Sequence, residues 1–203
     1  MQPFEIYLSL MQTIRGRFDV IETLKGSRTN DLARAETAAF HGRKIVEAIA
    51  FGCLVAMEHG LKTVPRDAKG QWNAEEIFKS FQKKRLTVLP SPSVIRAATD
   101  EERKASNSNI VIDGQPDRRL THEELIDIYR RLHSWLHEVN PYTNTDHLTF
   151  YSKNAAQLWD DLAKLHRFMD KHFISIHGAG FFCVLRDNQD GQTKVVALNK
   201  TAA

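Results

Sequence analysis

Residues 45–57 are apolar apart from Glu47, and this stretch limits the folds open to the chain. A helix that is apolar on every side is either surrounded by other elements or inserted in a membrane. Because a bilayer needs about 20 apolar residues, this stretch is too short to cross one. The sequence therefore predicts a central core helix that is capped by Asn30 or Asp31 and stops at Gly60.

Four further segments have the spacing or the capping signals of helices that pack around such a core. Apolar residues three and four apart predict the first of them. Two others begin with capping boxes, in which Asn73 is followed by Glu76 and Thr121 by Glu124. The predicted helices cover residues 4–24, 74–85, 121 to just before Pro141, and 154–172.

The rest of the chain predicts a smaller amount of β-structure. Residues 87–120 hold Pro90, Pro92 and Pro116 and only short apolar runs, which indicates a loop-rich insertion with one or two short strands and a helical turn at 99–104. Residues 181–199 have the pattern of a β-hairpin. We expect one mainly α-helical domain over residues 1–203, a helical bundle core with a small β appendage.

Cysteine usage and charge indicate the setting of the protein. Cys53 and Cys183 lie in apolar runs, which is typical of small buried side chains rather than of a disulfide framework. The N-terminus lacks the basic stretch and the cleavage site of a signal peptide. We therefore expect a soluble, cytoplasmic protein without a membrane segment. The net charge of +3 would tolerate an anionic partner without requiring one.

The helix after Thr121 carries the sequence YRRLHSWLHEVNPY. At about 100° per residue, its side chains separate into an apolar stripe and an opposite polar face. The stripe comprises Leu125, Ile128, Leu132, Trp135, Leu136 and Val139, and the polar face comprises Arg130, His133, Ser134 and His137. Ile126 falls on the polar face, which predicts that a second copy of the chain covers this face in a twofold dimer.

Arg130 and His137 form a useful pair for chemistry on RNA. An imidazole can move a proton at neutral pH, and a guanidinium can hold a phosphate and its developing charge. With six intervening residues near the end of a late helix, the pair resembles the Arg-x(4–6)-His signature of the HEPN superfamily, the higher eukaryote and prokaryote nucleotide-binding domains. The segments FHGRKIVEAIA, WNAEEI and LHEVNPY are also similar to uncharacterised bacterial helical proteins.

The HEPN resemblance implies a metal-independent endoribonuclease, or an inactive relative of one, in a bacterial toxin–antitoxin or phage-defence system. It implies that Arg130 and His137 are catalytic and that Arg131, His133 and Asn140 bind RNA. It further implies a homodimer, an antitoxin or defence-system protein as a partner, and neither a metal nor another cofactor.

Other interpretations of the same face remain open. The arginine and the histidines could form the polar side of an ordinary helix, in a non-enzymatic protein that binds a partner protein. His133 and His137 are also spaced to share a metal ion, with Glu138 or His147 nearby, although Ser134 stands where a zinc protease helix has its glutamate. The Arg/His spacing recurs, moreover, at residues 34–41 and 167–172.

Glu47 is the one charged side chain of the apolar helix, and Arg43 lies one turn before it. The spacing predicts a structural carboxylate paired with that arginine. The alternative is that Glu47, Arg34 and His41 build a polar cleft beside the helix of Arg130.

Overall fold

The computed structural model of the chain describes residues 2–27, 30–61, 63–64, 66–140, 142 and 146–199. This part contains seven α-helices and one five-stranded antiparallel sheet, which confirms a mainly α fold with a small β part. The helices are α1 (Pro3–Gly26), α2 (Asp31–Leu61), α3 (Arg66–Lys69), α4 (Ala74–Lys83), α5 (Asp100–Ser106), α6 (His122–Ser134) and α7 (His147–Met169). The strands are β1 (Ser91–Ala97), β2 (Ile110–Gly114), β3 (Lys171–Ile176), β4 (Ala179–Val184) and β5 (Lys194–Asn199). No helix of the described residues is long and apolar enough to cross a membrane.

The long helix α2 is the centre of the fold, as its composition predicts. From Ile45 to Met57 every side chain is buried except that of Phe51, which is half-buried. α1, α4, α6 and α7 pack around α2, and β3 and β4 contact it as well. The predicted apolar stripe of α1 is buried against this core and consists of Tyr7, Met11, Ile14, Phe18 and Ile21.

Gly42 allows α2 to approach two other helices closely. A Cβ atom at this position would overlap the side chain of Leu162 on α7 and would lie 3.2 Å from both methyl groups of Leu132 on α6. The absence of a side chain at Gly42 therefore sets the distance between three helices that carry the candidate site.

Side-chain caps begin the helices where the sequence predicts them, but several predicted ends were wrong. Asn30 accepts hydrogen bonds from two amides of the first turn of α2, and Thr121 and Glu124 form the expected capping box of α6. Gly60 does not stop α2, which continues to Leu61, and α4 ends at Lys83. α7 begins and ends earlier than predicted, and the short α3 was not predicted.

α6 ends at Ser134 instead of continuing to Pro141, which lies outside the described residues. Two local contacts accompany the early end. The Ser134 hydroxyl donates a 2.7 Å hydrogen bond to the Arg131 carbonyl oxygen and so competes with the helical backbone. Trp135 packs edge-on against Phe150 of α7, with 4.9 Å between ring centroids, and occupies a turn.

The sheet has the strand order β2-β1-β3-β4-β5. β1 and β2 come from the loop-rich segment 87–120 and flank α5, and β4 and β5 form the predicted C-terminal hairpin. The sequence pattern does not predict β3, because it extends the preceding helix to His172. Since β3 pairs with both β1 and β4, it joins the middle strands and the hairpin into one sheet.

The sheet meets the helices through Tyr7 of α1. The Tyr7 ring stacks on Phe181 of β4 with centroids 4.6 Å apart, and its hydroxyl lies 2.7 Å from Nε2 of His172. His172 Nδ1 bonds the Met169 carbonyl oxygen, so Nδ1 carries the hydrogen and Nε2 accepts from Tyr7. Cys53 and Cys183 are buried free thiols, as predicted, and burial raises the pKa of both.

Candidate functional site

The side chains predicted to act on RNA lie on α6 and on the residues just after it. The predicted apolar stripe orients this helix, because Leu125, Ile128, Leu132 and Trp135 are all buried. This stripe packs in the core formed with α2 and α7.

The predicted polar face of α6 is exposed at Arg130, Ser134 and His137 but is covered at Ile126. Ile126 is only 6% exposed, because α4 of the same chain packs on this side of α6. Polar pairs flank it: Arg130 contacts Glu75, and Gln82 donates to Glu123. The prediction that a second copy covers Ile126 was wrong, since an intramolecular helix already does so.

His133 and His137 come together at the end of α6. Their Nε2 atoms are 3.0 Å apart and their rings meet edge-on, with centroids 4.5 Å apart. The two residues are four apart, and the backbone between them stays tightly wound, because the Leu136 amide donates to the His133 carbonyl oxygen at 3.0 Å. One imidazole must donate its Nε2 hydrogen and the other must accept it. The sequence predicted that both histidines share a face and are spaced to share an ion, and their contact agrees with that spacing.

The two histidines differ in their surroundings. His133 is half-buried, and burial, followed by the positive charge of Arg43 and by His137, lowers its pKa. Its Nδ1 is buried and has no hydrogen-bond partner among the described residues. His137 is exposed. His133 is therefore neutral and half-buried, and the exposed His137 contacts it from the solvent side.

Arg130 lies on the same side of α6 and is held by an acidic residue of α4. Its Nη2 atom donates to Oε1 of Glu75 at 2.6 Å, while 56% of its side chain remains exposed. Hydrogen bonds from Arg130 and Lys79 lower the pKa of Glu75 to about 2, which keeps this carboxylate charged. Glu75 thus positions the guanidinium, and the N–H groups that do not contact Glu75 remain available to a ligand.

A polar cluster between α2 and α6 lies next to His133. Tyr129, which the sequence analysis did not single out, is 3% exposed and donates to Oε1 of Glu47 at 3.3 Å. Arg43 donates to the Tyr129 hydroxyl at 3.0 Å, and its Nε lies 3.4 Å from Glu47. Lys44 completes the cluster at 2.7 Å from Glu47. The prediction of a paired Glu47 is confirmed, and the i, i+4 spacing to Arg43 was its signal.

Arg131 is on another side of α6 from the histidine pair. Its guanidinium makes two hydrogen bonds, of 2.7 and 2.9 Å, to the carboxylate of Asp161 on α7, which is fully buried. Gln157 donates to the same carboxylate at 2.9 Å. Arg131 therefore joins α6 to α7, although 44% of its side chain stays exposed.

A cleft of about 210 Å³ opens beside His137. Apolar walls come from Leu32, Trp135 and Phe150, and polar groups at its edge include Asn140 and His147. The fold thus brings Asn140 and His137, both predicted site residues, to the same cleft. His147 and Glu138 lie 3.4 Å apart there, but among the described residues no three His, Cys, Asp or Glu side chains gather as a metal site would need.

The other two Arg/His spacings are arranged differently. His172 lies in the core, far from solvent, and Arg167 is exposed on α7. Arg34 contacts Asp31 and donates to the Ser27 carbonyl oxygen at 2.8 Å, whereas His41 contacts Arg17. Within the described ranges no hydrogen bond or ion pair links Arg34, His41 and Glu47 to one another, so the alternative polar cleft is not formed.

The site therefore consists of the His133–His137 pair, with Arg130 on one side, Arg43 behind it and the cleft in front. Comparison with protein-family models, with curated proteins and with solved structures finds no match to this chain.

Proposed function

We propose that the chain is a metal-independent, HEPN-like endoribonuclease with its reaction centre at the histidine pair. The observation that carries the proposal is the 3.0 Å contact between the Nε2 atoms of His133 and His137. Two imidazoles that share one hydrogen supply a proton acceptor near neutral pH without a metal ion. Their position at an open cleft gives a strand of RNA access to them.

His137 takes the proton of a ribose 2′-hydroxyl in the proposed reaction, because it is the more exposed of the two. The 2′ oxygen then forms a bond to phosphorus, the bond to the 5′ oxygen breaks, and that oxygen takes a proton from water. The hydroxide that remains takes the proton from His137, which returns the imidazole to its starting state. The products are a 2′,3′-cyclic phosphate and a 5′-hydroxyl. DNA lacks the attacking hydroxyl and is not cleaved.

Positive charge beside the pair supports this reaction. Arg130 uses one nitrogen for Glu75, and the other donors of its planar guanidinium stabilise the charge that develops on the phosphoryl oxygens. Arg43 adds positive potential next to His133. His133 acts as a positioning residue that orients His137. Asn140 at the cleft and the exposed part of Arg131 contact more of the strand.

The remaining features of the proposal come from the HEPN resemblance: a homodimer, an antitoxin or defence-system partner, and a role as a toxin or in phage defence. Ile126 gives the dimer no support, because α4 covers it. A cytoplasmic location suits two buried cysteines that remain free.

The test is incubation of the purified protein with total cellular RNA and with defined transfer RNAs in the presence of a chelator. We expect cleavage that leaves cyclic phosphate ends, detected by end-group analysis, and no cleavage of DNA of the same sequence. Intact RNA after incubation, also in the presence of proteins encoded next to this chain, would overturn the proposal.

A non-enzymatic interaction protein is the second candidate function. Two observations favour it: Arg130 already serves as an ion-pair partner of Glu75, and two large apolar side chains near the cleft are exposed, Tyr142 by 95% and Leu148 by 76%. Under this proposal the histidine pair contributes to a binding surface for a partner protein. Intact RNA together with a stoichiometric complex that Leu148→Ser weakens is the result expected for this function.

A further inference from the structure

A second concentration of positive charge lies at the opposite end of α6. There the short 3₁₀ turn Pro116–Arg118 meets the C-terminal half of α7 around a cleft of about 170 Å³. Four cationic side chains line this cleft: Arg118, Arg119, Lys164 and Arg167. Because they come from two separate segments, the fold and not local sequence gathers them.

Three of these four cations have no ion-pair partner in the protein. Among the described residues, Arg118, Arg119 and Arg167 have no side-chain hydrogen bond or ion pair. Only Lys164 has a carboxylate partner, Asp160 at 2.8 Å. Other arginines of the chain are neutralised, as Arg131 is by Asp161.

The two carboxylates that also line the cleft do not cancel this charge. Glu124 is held by its capping box, in which it accepts from the Thr121 amide at 2.8 Å, and it makes no ion pair with the arginines of the cleft. Asp117 makes no ion pair with a described residue. With the Asp160 partner of Lys164 included, four cations face three carboxylates, and the remaining positive charge lies on arginines that have no carboxylate partner and can attract an anion.

We propose that this basic cleft binds phosphate groups of an RNA strand that also reaches His137. This inference rests on the proposed function, because it extends the same substrate along the molecule. α6 connects the two places: Glu124 in its first turn lines the basic cleft, and Ser134 at its end lines the cleft of His137. Between them lies the half-exposed Arg131.

The length of α6 sets the length of RNA required. Its 13 residues correspond to about 20 Å at 1.5 Å per residue. With about 3.4 Å per stacked nucleotide, this distance corresponds to roughly six nucleotides. A dinucleotide at His137 therefore does not reach the basic cleft, whereas a single strand of twelve nucleotides does.

The experiment measures the affinity of a fluorescently labelled 12-nucleotide RNA by anisotropy at several salt concentrations. Each phosphate group that the protein neutralises adds about 0.7 to the magnitude of the slope of log affinity against log salt for a single strand. Replacing two cations, Arg118→Gln with Arg167→Gln, should therefore lower this magnitude by about 1.4. The matched control replaces two exposed lysines that do not line the cleft, Lys83→Gln with Lys104→Gln, and should leave the slope unchanged.

The outcomes separate this inference from the proposed function. A smaller slope in the cleft variant alone supports the basic cleft, whether or not the RNA is cleaved. An unchanged slope, or no binding of the 12-nucleotide RNA by the wild-type protein, overturns it. The single variant Arg167→Gln changes one exposed side chain of α7, so it still tests the basic cleft if the double variant fails to fold. A dinucleotide at His137 does not reach the basic cleft, so its cleavage should be the same in wild type and in these variants. This measurement therefore tests the histidine pair separately from the basic cleft.

Discussion

The Nε2 atoms of His133 and His137 lie 3.0 Å apart although only His133 belongs to α6. On a continuous helix both side chains would lie on the same face, one turn apart. Here the chain leaves α6 in a turn through Trp135 and Leu136 that stays tightly wound, so the exposed imidazole still lies against the half-buried one. The contact between the two histidines is therefore kept across the end of the helix.

Replacing His137 by Ala should lower RNA cleavage by a factor of about 10² to 10⁴, because general acid–base help is lost. The free energy of unfolding should change little, since the side chain is exposed. The measurement is the rate of appearance of cyclic phosphate ends, with denaturant unfolding in parallel. His166→Ala, at an exposed histidine of α7, is the control and should cleave normally. Equal rates for His137→Ala and wild type would remove His137 from the reaction.

The stability of the protein should fall as the pH falls through the range in which His172 titrates. Burial lowers the pKa of His172 to about 4, whereas an unfolded histidine titrates near 6.5. The unfolded chain therefore takes up this proton first. The stabilisation is complete above about pH 6.5 and is lost as the pH falls towards 4, by roughly 3 kcal/mol in all.

The measurement for His172 is the free energy of unfolding of wild type and His172→Gln at about pH 7 and about pH 4.5. The variant should be less stable at the higher pH, because it loses the bond from the Tyr7 hydroxyl. The difference between the two proteins should shrink at the lower pH. A difference that is the same at both pH values would contradict the assignment of a neutral, buried His172.

Adding one methyl group at Gly42 should destabilise the fold, whereas the same change at Gly16 should not. A Cβ at Gly42 overlaps Leu162 and crowds Leu132, so Gly42→Ala should cost about 1 to 3 kcal/mol. A Cβ at Gly16, on α1, meets no atom within 4 Å, so Gly16→Ala should gain up to about 1 kcal/mol from helix propensity. Thermal unfolding measures the change in stability of each variant. A stabilised Gly42→Ala protein would mean that α2, α6 and α7 lie farther apart than in the structure.

Two adjacent arginines of α6 should differ in their effect on stability. Arg131→Ala leaves the fully buried carboxylate of Asp161 without its main partner and should cost about 2 to 3 kcal/mol. Arg130→Ala removes a pair that is more than half exposed on the arginine side and should cost less than about 1 kcal/mol. Urea unfolding compares them. A larger loss for Arg130 would reverse the structural roles assigned to the two residues.

A substitution at Ile126 tests whether this side chain packs within its own chain or at a dimer interface. Because α4 covers it, Ile126→Ala should lower the free energy of unfolding by about 2 kcal/mol or more and should leave the oligomeric state as in wild type. Sedimentation at several concentrations, combined with unfolding, provides the test. A variant of normal stability that dissociates a wild-type dimer would instead place Ile126 at a subunit interface.

The sequence by itself determined the features that follow from short-range physics. The burial of α2 follows from its apolar composition on all sides, and the start of α6 follows from the Thr121–Glu124 capping box. The buried stripe of α6 follows from the 3.6-residue period. Each of these depends on residues within a few turns of one another, so the pattern is visible along the chain.

Only the tertiary structure decided which element covers each face. Nothing near Ile126 in the sequence specifies that α4 lies over it, and nothing near Arg131 specifies Asp161, which is 30 residues away. Pro141 sets the farthest limit of α6, but packing of Trp135 on Phe150 coincides with the turn that ends it earlier. The period of a helix reports which side chains share a face, whereas the partner of that face depends on the free energy of burying it against one segment or another. The contact between His133 and His137 follows from their spacing of four residues, whereas the partial burial of His133 beside Arg43 depends on the packing of α2 on α6.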